Sequence, residues 1–354
     1  MMDKGNTGYY NLSKAIAWMR FPLILMIVML HCYCAIDASG HSSYFIWVYP
    51  FGLCLGETGV PAFFFVSGFL LYFSQKSYVG KLQSRVKTLL IPYLFWNTLV
   101  LLAYGVLAVM NHPMMIAGKS ITDYGVMDYI RAFIDRGSWD GGNGVPMLCP
   151  YWYIRNLMAL CVVSPAIYFA VKYLKLVFVA ILVIWWFSVP YNGMIASSFL
   201  FFSLGAYFSI HRKDPLVDLR IRKDIFLILW LVVFLTDWIG HTIWSVPFGL
   251  YWHRLALIMN IYGLLLVGGK LGCKSYKGSQ LLNKSAFWIY TVHYPLTLLV
   301  ESVSERYLQH SSDFILYGYY WLSVMIVTAI CLVTYVAMAR LFPNMLSYVT
   351  GSRS

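Results

Sequence analysis

Apolar residues in this chain gather into long runs, and polar residues collect in the gaps between them. A helix needs about 17–25 apolar residues to cross the hydrocarbon of a bilayer. Ten stretches approach that length, near 15–36, 52–74, 88–110, 150–171, 175–190, 194–210, 224–240, 248–268, 285–303 and 316–340. The pattern predicts an all-α, polytopic membrane protein of about ten transmembrane helices. It reads as a single domain over 1–354, with its spans between 15 and 340. An interfacial piece, Tyr44 to Phe51, precedes the second span. The longest connection runs from Asn111 to Cys149 and carries a flexible tip at Gly141-Gly142-Asn143-Gly144. Within it, Asp123 to Ile134 suits a short amphipathic helix on the surface, either a cap over a site or a plain connector.

Composition agrees with this pattern. At 60% hydrophobic and 11% charged, the chain is no ordinary soluble domain. Its 18% aromatics fit interfacial belts. Nineteen of the 26 Lys and Arg fall in alternate connections, which predicts cytoplasmic termini by positive-inside reasoning. The net charge of +12 lies mostly in those loops, where topology and anionic membrane lipid account for it, so no nucleic-acid partner is expected. Seven cysteines without a CxxC pair argue against a disulfide framework. Histidines and carboxylates lack metal-ligand spacing, so no metal is expected. No removable signal peptide is visible. Oligomeric state is not legible.

Ionisable residues inside apolar spans are expensive and therefore functional candidates. Arg20 and His31 share the run from Ala15 to His31. Eleven residues return His31 to within about 20° of Arg20, roughly 16 Å along the helix. This places a cation near one surface and a titratable base near the membrane centre. It suits a large anionic donor whose reactive end reaches into the membrane. Arg20 otherwise snorkels to the interface. Toward the other side, Glu57, Arg155, Asp237 and Arg254 come from four spans, with Trp152, Tyr153, Trp238 and Trp252 beside them. They form either an acceptor site or a structural ion-pair network.

Several blocks resemble the membrane acyltransferases of family 3. The Arg20–His31 pair is similar to that family's first-span signature. Gly59-Val60-Pro61-Ala62-Phe63-Phe64-Phe65-Val66-Ser67-Gly68-Phe69-Leu70-Leu71 resembles its second span. Arg85-Val86-Lys87-Thr88-Leu89-Leu90-Ile91-Pro92-Tyr93 is similar to its basic entry to the third. Tyr151-Trp152-Tyr153-Ile154-Arg155-Asn156-Leu157 and Tyr290-Thr291-Val292-His293 resemble later blocks. The basic block lacks the full arginine cluster of some members, and no appended soluble domain is seen.

The resemblance implies transfer of an acyl group, usually acetyl from acetyl-CoA, to a hydroxyl of a cell-envelope glycan or a lipid-linked precursor. The setting it implies is a bacterial inner membrane. His31 would act as base, with Glu57 as a second catalytic residue. Arg20, Arg85 and Lys87 would hold CoA phosphates, since a guanidinium fork matches phosphate geometry. Ser67 and His293 would line the donor path, or pack and hydrogen-bond with neighbouring helices. Arg155, Asp237, Arg254 and Trp152 would contact the acceptor. A non-enzymatic glycan or lipid flippase is the alternative, although it needs no base above an anion site.

Overall fold

The computed structural model describes residues 4–36, 42–112, 115–116, 119–136, 144–190, 193–216, 223–243, 246–271 and 278–352. The connection tip at 141–143 lies outside these residues. So do Arg220, Arg222, Lys274, Lys277 and Arg353 of the charge count. Among the described residues the fold is all-α apart from one two-residue hairpin, β1 (Met115–Ile116) with β2 (Lys119–Ser120). The chain forms two compact units, one of 1–74 and 166–335, the other of 75–165 and 336–354.

The first unit holds α1 (Lys4–Cys34), α2 (Ser42–Tyr49) and α3 (Gly59–Phe73). It continues with most of α8 (Ser164–Leu174), then α9 (Leu176–Ser188), α10 (Met194–Ile210) and α11 (Lys223–Ile243). The helices α12 (Val246–Leu271), α13 (Gly278–Tyr307) and most of α14 (Asp313–Leu341) complete it. α1 packs against α12, α13 and α3.

Between α2 and α3 the chain does not leave the helix. It passes through a π-helical turn, Pro50–Leu55, and a 3-10 turn, Gly56–Thr58. Pro50 has no N–H to give the carbonyl of Ile46, so the regular ladder cannot continue through it. The indole Nε1 of Trp238 donates to that carbonyl instead, at 2.5 Å. The expected interfacial piece and second span are thus one helix of 31 residues, Ser43–Phe73.

Glycines set how closely these helices approach. A Cβ on Gly52 would stand 2.6 Å from Tyr33 Cβ, one on Gly56 2.9 Å from Leu30 Cβ, and one on Gly59 2.8 Å from Ile27 Cγ1. The segment 52–59 therefore runs directly along residues 27–33 of α1. A Cβ on Gly68 would lie 2.0 Å from the Phe202 carbonyl oxygen, and one on Gly205 2.0 Å from that of Phe65. Here α3 and α10 meet backbone to backbone. Small residues allow such contact where no hydrophobic force separates helix from lipid.

The second unit holds α4 (Tyr78–Arg85), α5 (Ile91–Val109), α6 (Val126–Ala132), α7 (Trp152–Val162) and α15 (Pro343–Val349). A π-helical turn, Val86–Leu90, joins α4 to α5. The expected amphipathic stretch becomes α6, where Asp128 accepts from the backbone N–H of Gly125 at 3.0 Å. α7 ends just before Pro165, whose missing N–H frees the Cys161 carbonyl. Ser164 Oγ takes that carbonyl at 2.8 Å.

Two expectations are corrected. Among the described residues five helices, not ten, are long and apolar enough to cross a membrane: Ala15–Cys34, Ser43–Phe73, Tyr78–Val109, Gly249–Leu271 and Asp313–Leu341. A sixth is reached if the broken pair 149–162 and 164–174 counts as one. Leu176–Ser188, Met194–Ile210 and Ile225–His241 are apolar but shorter. The 13 residues of α9 rise only about 20 Å, against a hydrocarbon core of about 30 Å. α13 is long, but Asn283, Lys284, His293, Glu301 and Glu305 dilute its apolar content. The expectation of two cytoplasmic termini rested on the ten-span count and falls with it. What stands is an all-α, multi-pass membrane protein.

Candidate active site

His31 lies in the last turn of α1, not at the middle of its span. Its ring centroid is 5.1 Å from that of His293 on α13, and 5.3 Å from that of Tyr294, which meets it edge-on. His293 is fully buried. Its Nδ1 lies 2.9 Å from the carbonyl oxygen of Ile289. A carbonyl only accepts, so in the neutral ring Nδ1 carries the proton and Nε2 the lone pair. That Nε2 is buried and has no hydrogen-bond partner among the described residues. His31 likewise makes no side-chain hydrogen bond among them. Two imidazoles thus stand in ring contact, one of them with an unused acceptor.

A second cluster centres on His253, in the early turns of α12. Its Nε2 is 3.0 Å from Glu57 Oε2, and its Nδ1 is 3.0 Å from Asp237 Oδ2. Glu57 belongs to the 3-10 turn, and Asp237 to α11. Cys54, in the π turn, brings its thiol to within 4.8 Å of the ligand atoms of Asp237 and His253. These three are the described residues that could hold a metal ion. Asn260, two turns further along α12, secures the rewound segment. Its Nδ2 donates to the Cys54 carbonyl at 3.0 Å and to Thr58 Oγ1 at 3.1 Å. Aromatic groups flank the cluster. Tyr49 stacks on His241 at 4.0 Å, and Trp47 meets Trp238 at 6.2 Å.

The remaining candidates occupy separate positions. Arg20 is exposed on α1. Ser67 is half-buried beside the Gly68 crossing. Arg254 is buried, and its guanidinium caps the end of α9. It donates to the carbonyls of Trp186 at 2.5 Å, Val189 at 2.9 Å and Pro190 at 3.1 Å, over the Trp186 ring. In the second unit, Arg85 is half-buried and hydrogen-bonds Cys161, while Lys87 is exposed. Arg155 donates to Asn156 Oδ1 at 3.2 and 3.1 Å and to the Ile134 carbonyl. Trp152 is half-buried in the first turn of α7.

The structure therefore joins Glu57 to Asp237, and His31 to His293. The residue that joins the carboxylates, His253, was missed, as was Cys54. The signal for His253 was present: an ionisable residue inside an apolar run, between Trp252 and Arg254.

The family described as an acyltransferase domain matches residues 13–339. The succinoglycan biosynthesis protein ExoH of Rhizobium meliloti is 27% identical over 369 residues, covering 97% of this chain and 93% of that protein. No solved structure matches. With the match spanning nearly the whole length, the chain belongs to the membrane acyltransferases of family 3.

Proposed function

We propose that the protein is an inner-membrane O-acyltransferase that moves an acyl group, acetyl in our reading, from cytoplasmic acyl-CoA to a hydroxyl of a cell-envelope glycan or its lipid-linked precursor. The observation that carries this reading is the His31–His293 pair, with its bare acceptor nitrogen. A buried polar atom without a partner calls for one, and a donor group of the incoming substrate supplies it. The name of the relative from Rhizobium meliloti supports an envelope polysaccharide as the acceptor class.

In the step we envisage, the imidazole of His31 takes the proton of the acceptor hydroxyl. The hydroxyl oxygen attacks the thioester carbonyl, a C–O bond forms and the C–S bond breaks. CoA leaves as a thiolate and takes up the proton from the imidazolium. His293 holds the substrate or the His31 ring in register. Glu57, half-buried, lies near the level of His31 on α1, because segment 52–59 packs along residues 27–33, and Asp237 is joined to it through His253. We assign them to the acceptor end. Arg20, about 16 Å from His31 along the helix, is assigned to the phosphates of CoA. Arg85 and Lys87 share that assignment on their chemistry alone.

The test uses the purified protein in lipid vesicles, acyl-CoA labelled in the acyl group, and deacylated envelope glycan. Alkali-labile label appearing on the glycan is the expected result. Arg20→Ala should raise the acyl-CoA KM about tenfold or more, the loss of a hydrogen bond to a charged group being about 1.5–3 kcal/mol. Arg20→Lys should recover only part of this, because it lacks the fork. No label on the glycan with any acyl-CoA supplied would contradict the proposal.

A further inference from the structure

We propose that Cys54, Asp237 and His253 form a zinc site, with Glu57 as the outer group that orients the histidine. His253 Nε2 stands 3.0 Å from a Glu57 carboxylate oxygen, a contact that requires the ring to donate there. In a neutral ring this leaves a lone pair on Nδ1. That lone pair faces Asp237 Oδ2 at 3.0 Å, and an ionised carboxylate has only lone pairs to offer in return. Two acceptors at that distance need a proton or a metal ion between them. The Cys54 sulfur, within 4.8 Å of both, supplies a third donor.

The surroundings have the polarity a metal site requires. A metal-bound histidine gives its far N–H to a carboxylate, as His253 does to Glu57. A bound thiolate accepts N–H groups, and Asn260 Nδ2 approaches Cys54 Sγ at 3.8 Å. All three ligand residues are buried, at 0%, 2% and 5% exposure. Mixed sulfur, nitrogen and oxygen donors select zinc over magnesium or calcium. Zinc bonds of about 2.0–2.3 Å bring ligand atoms to about 3.3–3.8 Å from each other, so closure needs roughly 1 Å of side-chain movement. Three protein ligands leave a fourth position open, and Tyr49 Oη stands 3.5 Å from His253 Nδ1. The ion would tie the π turn to α11 and α12. None of this depends on the acyl-transfer reading, and the test contains no acyl donor.

The full-length protein is purified in detergent without chelator, and its zinc is measured by mass spectrometry. About one zinc per chain is expected for a buried three-residue set of this kind. Cobalt exchanged into the wild-type protein should give a thiolate-to-metal absorption band, a reading that needs no variant to fold. Cys54→Ser should lose that band, and Glu57→Gln should weaken zinc binding about 10–100-fold. A wild-type protein that holds no zinc after incubation and dialysis overturns the proposal, the cation then being a proton. Cobalt bound without a thiolate band, or full zinc retained by a folded Cys54→Ser protein, overturns the ligand set.

Discussion

His253 meets a carboxylate oxygen at each ring nitrogen, both at 3.0 Å, whereas His293 has one nitrogen bonded and the other bare. The contrast is between two histidine clusters lying against the same stretch of α1, one beside His31 and one reached through segment 52–59. A buried polar atom left unbonded costs about 1–3 kcal/mol. Such a cost persists where a substrate group completes the bond. A saturated imidazole cannot accept a hydroxyl proton without first breaking a contact that joins helices. On the proposed reading the two clusters divide the work: the open pair carries the proton transfer, and the closed one fixes α11, α12 and the π turn together at the acceptor end.

The largest expected shift tests the closed cluster. Asp237→Ala leaves His253 Nδ1 without its partner in a buried site, and removing one member of a buried pair costs about 3–5 kcal/mol. Thermal unfolding in detergent should show the midpoint fall well below that of the wild type. An unchanged midpoint would mean the cluster does not hold the helices.

A smaller effect is expected at the open pair. His293→Gln keeps a donor for the Ile289 carbonyl but removes the bare ring nitrogen. Acyl transfer should slow about tenfold, near 1.4 kcal/mol in the barrier, with acyl-CoA affinity and unfolding midpoint held. Equal transfer rates would deny the bare nitrogen any part in the reaction.

Local signals in the sequence carried much of this. Arg20 and His31 were legible because a helix has a fixed period and charge is rare in apolar runs. Glu57 and Asp237 stood out for the same reason, yet their partner did not. His253 and Glu57 are 196 residues apart, and no spacing rule connects them. Cys54 has no cysteine at metal-ligand spacing to mark it, because its partners come from other helices. The span count failed for a different reason. Apolarity alone was read as a crossing, whereas α9 is too short and α13 too polar. Arg254 shows the limit most clearly. A buried arginine near an outer cluster reads as a ligand site, and in the fold its guanidinium caps a helix end.

The central claim is that the His31 imidazole takes the acceptor's proton, and initial-rate acyl transfer by His31→Ala tests it most directly. Wild type and variant are compared at matched unfolding midpoints, with and without added imidazole. The account predicts a loss of about 10²–10⁴-fold, as expected when a positioned base is removed. It also predicts recovery that rises with imidazole concentration. A folded His31→Ala protein that transfers at the wild-type rate without imidazole would contradict it.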